Sequence, residues 1–439
     1  MNDLTDRLEL FRRMRGSVRG SEKYLLVGVD VAKNNHHAFF GTPNGRTLRK
    51  NLVFDNSTKG FESLRSLARD ILKQHGLGEA VYGLEPTASY HKPLAEYLIR
   101  QDEHVVYVSN VAVAKNRALL DGRWDKNDKK DAANVADLVG QGRCLYYDVP
   151  EESLRELRSL IAFRMRLKKQ EHALRMRLRN NVFAQFFPEL DKLYIRAGQP
   201  DDLVLSIAEH CLDPREIAGM EFEAFLKLIT KRKIRIEQER RLRELWEVAK
   251  ESAGCQVHDA ARWEAKSLVS QLKAVRETVK GNEQLMEKVA QQFPEYGSLL
   301  SIPGFGPIVS AMVLAAIGNP FRFENRKQVL RLAGLDLSAE RSGKNSDSAK
   351  PVISKQGKAA LRYALVQAAI VASALNADIR SYFSTLLKGR ELERGIKLKM
   401  KVKLAAKLLV VAWTLMKSKE QFKSSCGLEL LKCGLPFTI

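Results

Sequence analysis

Short, wholly apolar runs alternate with longer stretches of helical spacing along the first third of the chain. Tyr24 to Val29 (YLLVGV) is a continuous apolar run, the pattern of a strand buried on both faces. His37 to Phe40 and Leu48 to Phe54 predict the next two strands, and the Thr42-Pro43-Asn44-Gly45 turn between them has hairpin chemistry. Between Lys59 and His75, Phe61, Leu64, Leu67, Ile71 and Leu72 recur at helical spacing. Ala80 to Leu84 predicts another strand, ending at Glu85-Pro86; His91 to Gln101 predicts a helix and His104 to Val108 a further strand. From Asp128 to Gly140, Ala132, Val135, Ala136 and Val139 mark the small and apolar positions of a helix. The succession of strand, hairpin, helix, strand, helix, strand and helix predicts a mixed α/β sheet domain over residues 23–150, after a polar, basic leader at 1–22 that is helical or frayed.

The pattern changes after residue 150. Residues 151–188 and 231–290 are rich in Leu, Arg, Lys, Glu and Gln. Leu154, Leu157, Leu160, Ile161, Leu167, Leu174 and Leu178 fall close to helical spacing, with Arg164, Lys168, Arg175 and Arg179 beside them. Long paired helices over 151–295, as in an antiparallel coiled coil, fit this pattern, and Pro188, Pro200 and Pro214 mark a break between them. A third, mostly helical unit is predicted over 296–439. It contains I-P-G-F-G-P, an Ala-rich helix, a polar loop from Leu335 to Ile353 and a helix beginning near Gln356. Lys397 to Lys407 alternates basic and apolar residues; its apolar continuation, Leu408 to Met416, favours a helix with a basic face over a strand.

Composition narrows the partners. The 439 residues carry 73 Lys+Arg against 52 Asp+Glu, a net charge of +21, and 45% of them are apolar, enough to build real cores. No run approaches the ~18 apolar residues that span a bilayer. The start, MNDLTDRLELFRRMRG, lacks the apolar block of a secretory signal. Five scattered cysteines with no C-x-x-C argue against a disulfide scaffold or zinc ribbon, and for the cytoplasm. The charge is uneven: residues 1–150 are net +4, 151–300 net +3 and 301–439 net +14. A polyanionic partner follows, with nucleic acid ahead of an anionic membrane surface.

Four acids carry the first chemical signal. Asp30 ends the first strand in G-V-D-V-A-K, and Glu85 ends a later one in Y-G-L-E-P-T. Asp128 and Asp131 stand three apart in K-N-D-K-K-D-A, on one helical face, with Asp125 a near competitor for the third place. Strand-end acids of an open sheet point to the crevice at its carboxyl edge. An acid after a strand is often a helix N-cap or a turn former; Asp30 alone is as much a cap as a catalyst, and Asp131 alone is more often a solvated helix acid than a ligand. Converging, they would need cations among them, and oxygen-only ligands suit Mg²⁺ or Mn²⁺, which can clamp the oxygens of a phosphodiester.

The basic C-terminal unit carries the second. Gly304 and Gly306 in I-P-G-F-G-P would let backbone N–H groups approach a phosphate, although a ligand-free helix corner fits them nearly as well. In the following loop Arg341, Lys344, Lys350, Lys355, Lys358 and Arg362 crowd a set of serines. They would bind a scissile phosphate and offset charge on its oxygens. Composition alone does not choose among Ser338, Ser342, Ser346, Ser348 and Ser354 as a nucleophile, and Ser-Gly loops also serve as linkers.

Together these motifs resemble those of the DEDD-type insertion-sequence transposases, also described as bridge-RNA-guided serine recombinases and related to a DNA invertase. The resemblance rests on G-V-D-V-A-K, G-L-E-P-T and K-N-D-K-K-D-A in residues 24–142, and on I-P-G-F-G-P, A-G-L-D-L-S, R-S-G-K and I-S-K-Q-G-K-A-A-L-R in residues 297–370. It implies an α/β RNase H-like (RuvC-like) domain, a coiled-coil middle and a helical second transposase domain. It further implies that Asp30, Glu85, Asp128 and Asp131 hold divalent metal, Mg²⁺ or Mn²⁺. The Ser342-Gly343 pair best matches the family's serine nucleophile, which would attack a DNA phosphate and form a covalent phosphoserine link. The implied partners are donor and target DNA, a structured noncoding guide RNA and further copies of the chain in a dimer or tetramer, with no membrane. The alternative is a metal-dependent RuvC-like nuclease or Holliday-junction resolvase that uses water; a non-enzymatic nucleic-acid binder and a basic membrane scaffold are further rivals.

Overall fold

The computed structural model describes residues 2–121, 128–191, 202–230, 234–338 and 352–423. The chain forms two compact units, residues 1–150 and 151–439.

The first unit is built on a six-stranded mixed sheet. In chain order its elements are α1 (Asn2–Ser17), β1 (Tyr24–Asp30), β2 (Asn35–Gly41), β3 (Thr47–Asp55), α2 (Thr58–His75), β4 (Glu79–Leu84), α3 (His91–Arg100), β5 (His104–Tyr107), α4 (Asn110–Asp121), α5 (Asp128–Gly140) and β6 (Leu145–Tyr146). The strand order is β3-β2-β1-β4-β5-β6. β1 pairs antiparallel with β2 and parallel with β4, β4 pairs parallel with β5, and β6 closes the edge antiparallel to β5.

The alternation along β1 explains its unbroken apolar run. Leu25, Val27 and Val29 face a core shared with Leu64 and Ala68 of α2 and Leu94 and Leu98 of α3. Leu26 faces the opposite core, with Val135, Leu138 and Val139 of α5. A strand covered on both sides has no polar face to show. The leader is not frayed: Met14 of α1 and the following Val18 are buried in this second core. Residues with strand period two from Leu26 are Gly28 and Asp30, so Asp30 belongs to the α5 face; by the same count from Val81, so do Gly83 and Glu85.

Among its described residues the second unit is helical apart from a two-stranded ribbon, β7 (Leu337–Ser338) with β8 (Val352–Ile353). Helix α6 (Glu152–Arg177) and the long helix Asp259–Ala290 run antiparallel, joined by Arg164–Glu283 at 2.6 Å, Arg276–Glu171 at 3.3 Å and Asn282 Nδ2 donating to the Leu160 carbonyl at 3.1 Å. Between them lies a helical subassembly with its own core, including Phe183, Phe187, Leu205, Phe225 and Leu245. The ends of the long pair enter another core, with the buried helix Pro307–Ile317 and the helices Ala359–Leu375 and Ile396–Ser418. Lys397–Met416 is therefore helix, and its Lys407 is a buried cation 4.8 Å from the Tyr382 ring centroid. Among the described residues no single helix is long and apolar enough to cross a membrane.

Candidate active site

Two glycines bring the acid-bearing elements together. A Cβ on Gly28 would lie 2.1 Å from the Ala132 carbonyl oxygen and 2.6 Å from the Ala136 nitrogen. A Cβ on Gly83 would lie 2.6 Å from Val139 Cγ2 and 3.1 Å from Val135 Cγ1. Helix α5 therefore rests directly on β1 and β4, closer than any side chain on Gly28 would allow. Gly140, at its far end, abuts Leu26, so α5 runs antiparallel to β1 and its first turn, Asp128 to Asp131, lies toward the strands' carboxyl edge.

Asp30 and Glu85 stand side by side at that edge. The parallel register pairs Val29 with Leu84, and the Glu85 N–H donates to the Val29 carbonyl at 3.5 Å. Both acids are half-buried. The β1–β2 connection is braced by His36, whose Nδ1 accepts from the Ala32 N–H at 3.2 Å while its ring packs on Phe54 and Phe61. Burial holds its pKa below the usual histidine value.

Asp131 is the third member, with a side chain only 2% exposed. Its carboxylate does not meet those of Asp30 and Glu85: among the described residues no three His, Cys, Asp or Glu side chains form a metal-holding group. Asp131 is paired instead with Arg117 of α4. Its Nη2 stands 2.6 Å and its Nε 2.8 Å from the same Asp131 oxygen, Oδ1. The Asp128 backbone begins α5; its side chain, and Asp125, lie outside the described residues. In kind the donor set fits a hard divalent cation, since carboxylate oxygens come from β1, the end of β4 and α5 without sulfur or imidazole.

In the second unit, the predicted phosphate-binding residues divide. Ser342, Arg341, Lys344 and Lys350 lie outside the described residues, as do Ser346 and Ser348. The stem of their loop is tightly tied. Ser354 Oγ donates to Asp336 Oδ1 at 2.5 Å, and its N–H to the Asp336 carbonyl at 2.8 Å. Arg362 donates to the Ala333 carbonyl at 2.8 Å, and Lys358 Nζ to the Ala316 carbonyl at 3.3 Å. Both cations thus secure backbone carbonyls, while Lys355 is exposed at a left-handed φ of 55°. Gly304, at φ 84°, has a packing role: a Cβ there would lie 2.3 Å from the Ala368 carbonyl oxygen of the neighbouring helix. Gly306 begins the helix Pro307–Ile317, with open space where a Cβ would sit.

Comparison with known proteins gives the arrangement a lineage. The DEDD transposase model of the IS110 type, described as "Transposase", matches residues 27–188, and "Transposase IS116/IS110/IS902 family" matches residues 297–384. The two matches fall in order and together cover more than half of the chain. The chain belongs to the IS110/IS116 family of transposases. It is 24% identical over 330 residues, 73% of this chain and 77% of the relative, to the insertion element IS110 uncharacterized 43.6 kDa protein of Streptomyces coelicolor. It is 22% identical over 321 residues, 73% and 78% respectively, to the insertion element IS116 uncharacterized 44.8 kDa protein of Streptomyces clavuligerus. In this transposase the first match spans the whole carboxylate edge, and the second runs from the I-P-G-F-G-P turn through the serine loop.

Arg117 escaped the sequence reading of this transposase. Helix α4 has weak amphipathic patterning (NVAVAKNRALLD), and an arginine in such a segment looks like a solvated residue. The signal was the buried position of Asp131 on the predicted α5, since a carboxylate on a covered helix flank calls for a cation nearby.

Proposed function

We propose that this transposase excises and inserts an insertion element by cutting and rejoining DNA strands through a covalent serine–phosphate link. Asp30, Glu85, Asp128 and Asp131 would hold Mg²⁺ or Mn²⁺ at the carboxyl edge of the sheet. When bound, the ion supplies positive charge to the phosphate oxygens. The observation that carries this reading is the parallel register of β1 and β4, which sets Asp30 beside Glu85 just where α5 begins.

Ser342 is the nucleophile in this account. Its Oγ gives up its proton and bonds to the scissile phosphorus while the bond from phosphorus to the leaving deoxyribose oxygen breaks, and that oxygen takes up a proton, so that the step is proton-neutral overall. The hydroxyl of a second strand then displaces the serine, so rejoining needs no outside energy. Arg341, Lys344, Lys350 and the exposed Lys355 offset phosphate charge around the loop. The concentration of basic charge in residues 301–439 supports DNA held there. Recognition of donor and target through a structured noncoding RNA, and assembly as a dimer or tetramer, belong to the same reading by family likeness.

The test is strand cleavage of a substrate carrying the element's ends, in Mg²⁺. Asp30→Asn, Glu85→Gln and Asp131→Asn should each abolish cutting in folded protein, and retained cutting would remove that residue from the site. Cutting by the parent chain that leaves only free DNA ends would favour water as nucleophile. Sequencing the nucleic acid that copurifies should return a single discrete RNA; random fragments would remove the guide from the account.

A further inference from the structure

The described part of the carboxylate site contains a cation of its own. Arg117 places two nitrogens, at 2.6 and 2.8 Å, on Oδ1 of Asp131, whose side chain is 2% exposed while that of Arg117 is 24% exposed. The neighbouring contacts of α4 and α5 are also polar. Asn116 Nδ2 donates to Asn134 Oδ1 and to Asp137 Oδ2, each at 2.7 Å, and Asn134 Nδ2 donates to the Val113 carbonyl at 2.8 Å. Asn116 and Asn134 are themselves buried. A seam of directed hydrogen bonds fixes the rotation and height of one helix against another, where an apolar seam tolerates sliding.

We propose that Arg117 is a positioning residue for strand cleavage: it holds the Asp131 carboxylate in place at the start of α5 before a divalent ion is bound. The inference rests on Asp131 belonging to the metal-holding set. Arg117 engages one carboxylate oxygen, Oδ1, through two nitrogens, and this charge-assisted pair restricts where that oxygen can go. Without it, the carboxylate would be buried with its cation removed, and would turn toward water rather than stay aimed. Partners that orient metal-ligating side chains typically matter by about 10- to 100-fold in metal affinity.

The test uses the full chain and Mn²⁺ alone, read by titration calorimetry and by the electron-spin-resonance signal of free Mn²⁺. Asp131→Asn, Arg117→Ala, Arg117→Lys and Asn116→Ala are compared with the parent. The expected result is that Arg117→Ala weakens Mn²⁺ binding at least tenfold and that Arg117→Lys, which keeps the charge but not the second nitrogen, recovers only part of the loss. Asn116→Ala should lower the melting temperature yet leave Mn²⁺ affinity within about twofold, which separates positioning from mere support of the fold. Should Arg117→Ala fail to fold, Arg117→Lys and Arg117→Gln give the same comparison, with Lys above Gln. Parental or tighter binding in folded Arg117→Ala, alongside lost binding in Asp131→Asn, overturns the role of Arg117 alone. Unchanged binding in Asp131→Asn overturns the carboxylate reading beneath it.

Discussion

Replacing Gly28 by alanine tests whether α5 lies where the candidate site needs it. The added Cβ would stand 2.1 Å from the Ala132 carbonyl oxygen, about 1.3 Å inside the 3.4 Å at which ordinary contact begins. Its next neighbour, the Ala136 nitrogen at 2.6 Å, is also backbone, so no side chain can rotate away and the helix itself must withdraw. Overpacking costs about 1–3 kcal/mol, and a backbone clash belongs at the upper end. For a unit of about 150 residues, ~2–4 °C per kcal/mol places the loss near 6–12 °C for this unit's transition in scanning calorimetry. Gly83→Ala should cost less, because its nearest contacts are valine methyl groups. Gly16→Ala, with open space around its Cβ, should be neutral or stabilise α1 by up to about 1 kcal/mol. Because α5 carries Asp128 and Asp131, Gly28→Ala should also lose DNA cutting at temperatures where it remains folded. A Gly28→Ala protein that melts within about 2 °C of the parent would refute the packing of α5 on β1.

One buried and one half-buried histidine predict a pH dependence. Burial, the largest cause, holds His36 and His91 below the ordinary value of 6.5. Both remain neutral in the folded chain while the unfolded chain takes up protons, so their stabilisation is present above pH 6.5 and is lost as pH falls through the depressed folded values. Melting temperature should drop from pH 7 to pH 5, and His36→Gln should flatten that slope; an unaltered slope would exclude His36 as a source. Burial also pushes the Cys144 and Cys211 thiols up to about 11, whereas Cys255 is exposed. Iodoacetamide at neutral pH should therefore modify Cys255 and spare Cys144 and Cys211 until the protein unfolds, as read by peptide mass; rapid native labelling of Cys144 would contradict its burial.

The central strands and their acids were readable in sequence because burial on both faces leaves no polar positions. Thus Tyr24–Val29 and Ala80–Leu84 stood out, and Asp30 and Glu85 marked where each run stopped. The two-residue strand β6 was too short for any period, and α4 too weakly patterned to single out. The partnership of Arg117 with Asp131 spans 14 residues and depends on how two helices meet, which spacing within one helix does not encode. Gly304 carried an ambiguous signal: a glycine before a helix serves a phosphate or a neighbouring backbone equally well, and the proximity of Ala368 is a tertiary fact. The cations Lys358 and Arg362 were readable by composition, whereas the carbonyl that each holds in its own fold is a tertiary fact that composition does not carry.

The central claim is a covalent bond between this protein and DNA at Ser342. The most direct measurement is tandem mass spectrometry of the protein–DNA adduct trapped by denaturing a cleavage reaction part-way and digesting both polymers. The account predicts a nucleotide phosphate on the peptide containing Ser342, absent from the Ser342→Ala chain. Cleaved DNA with no modified peptide, or an adduct on another residue, would contradict it.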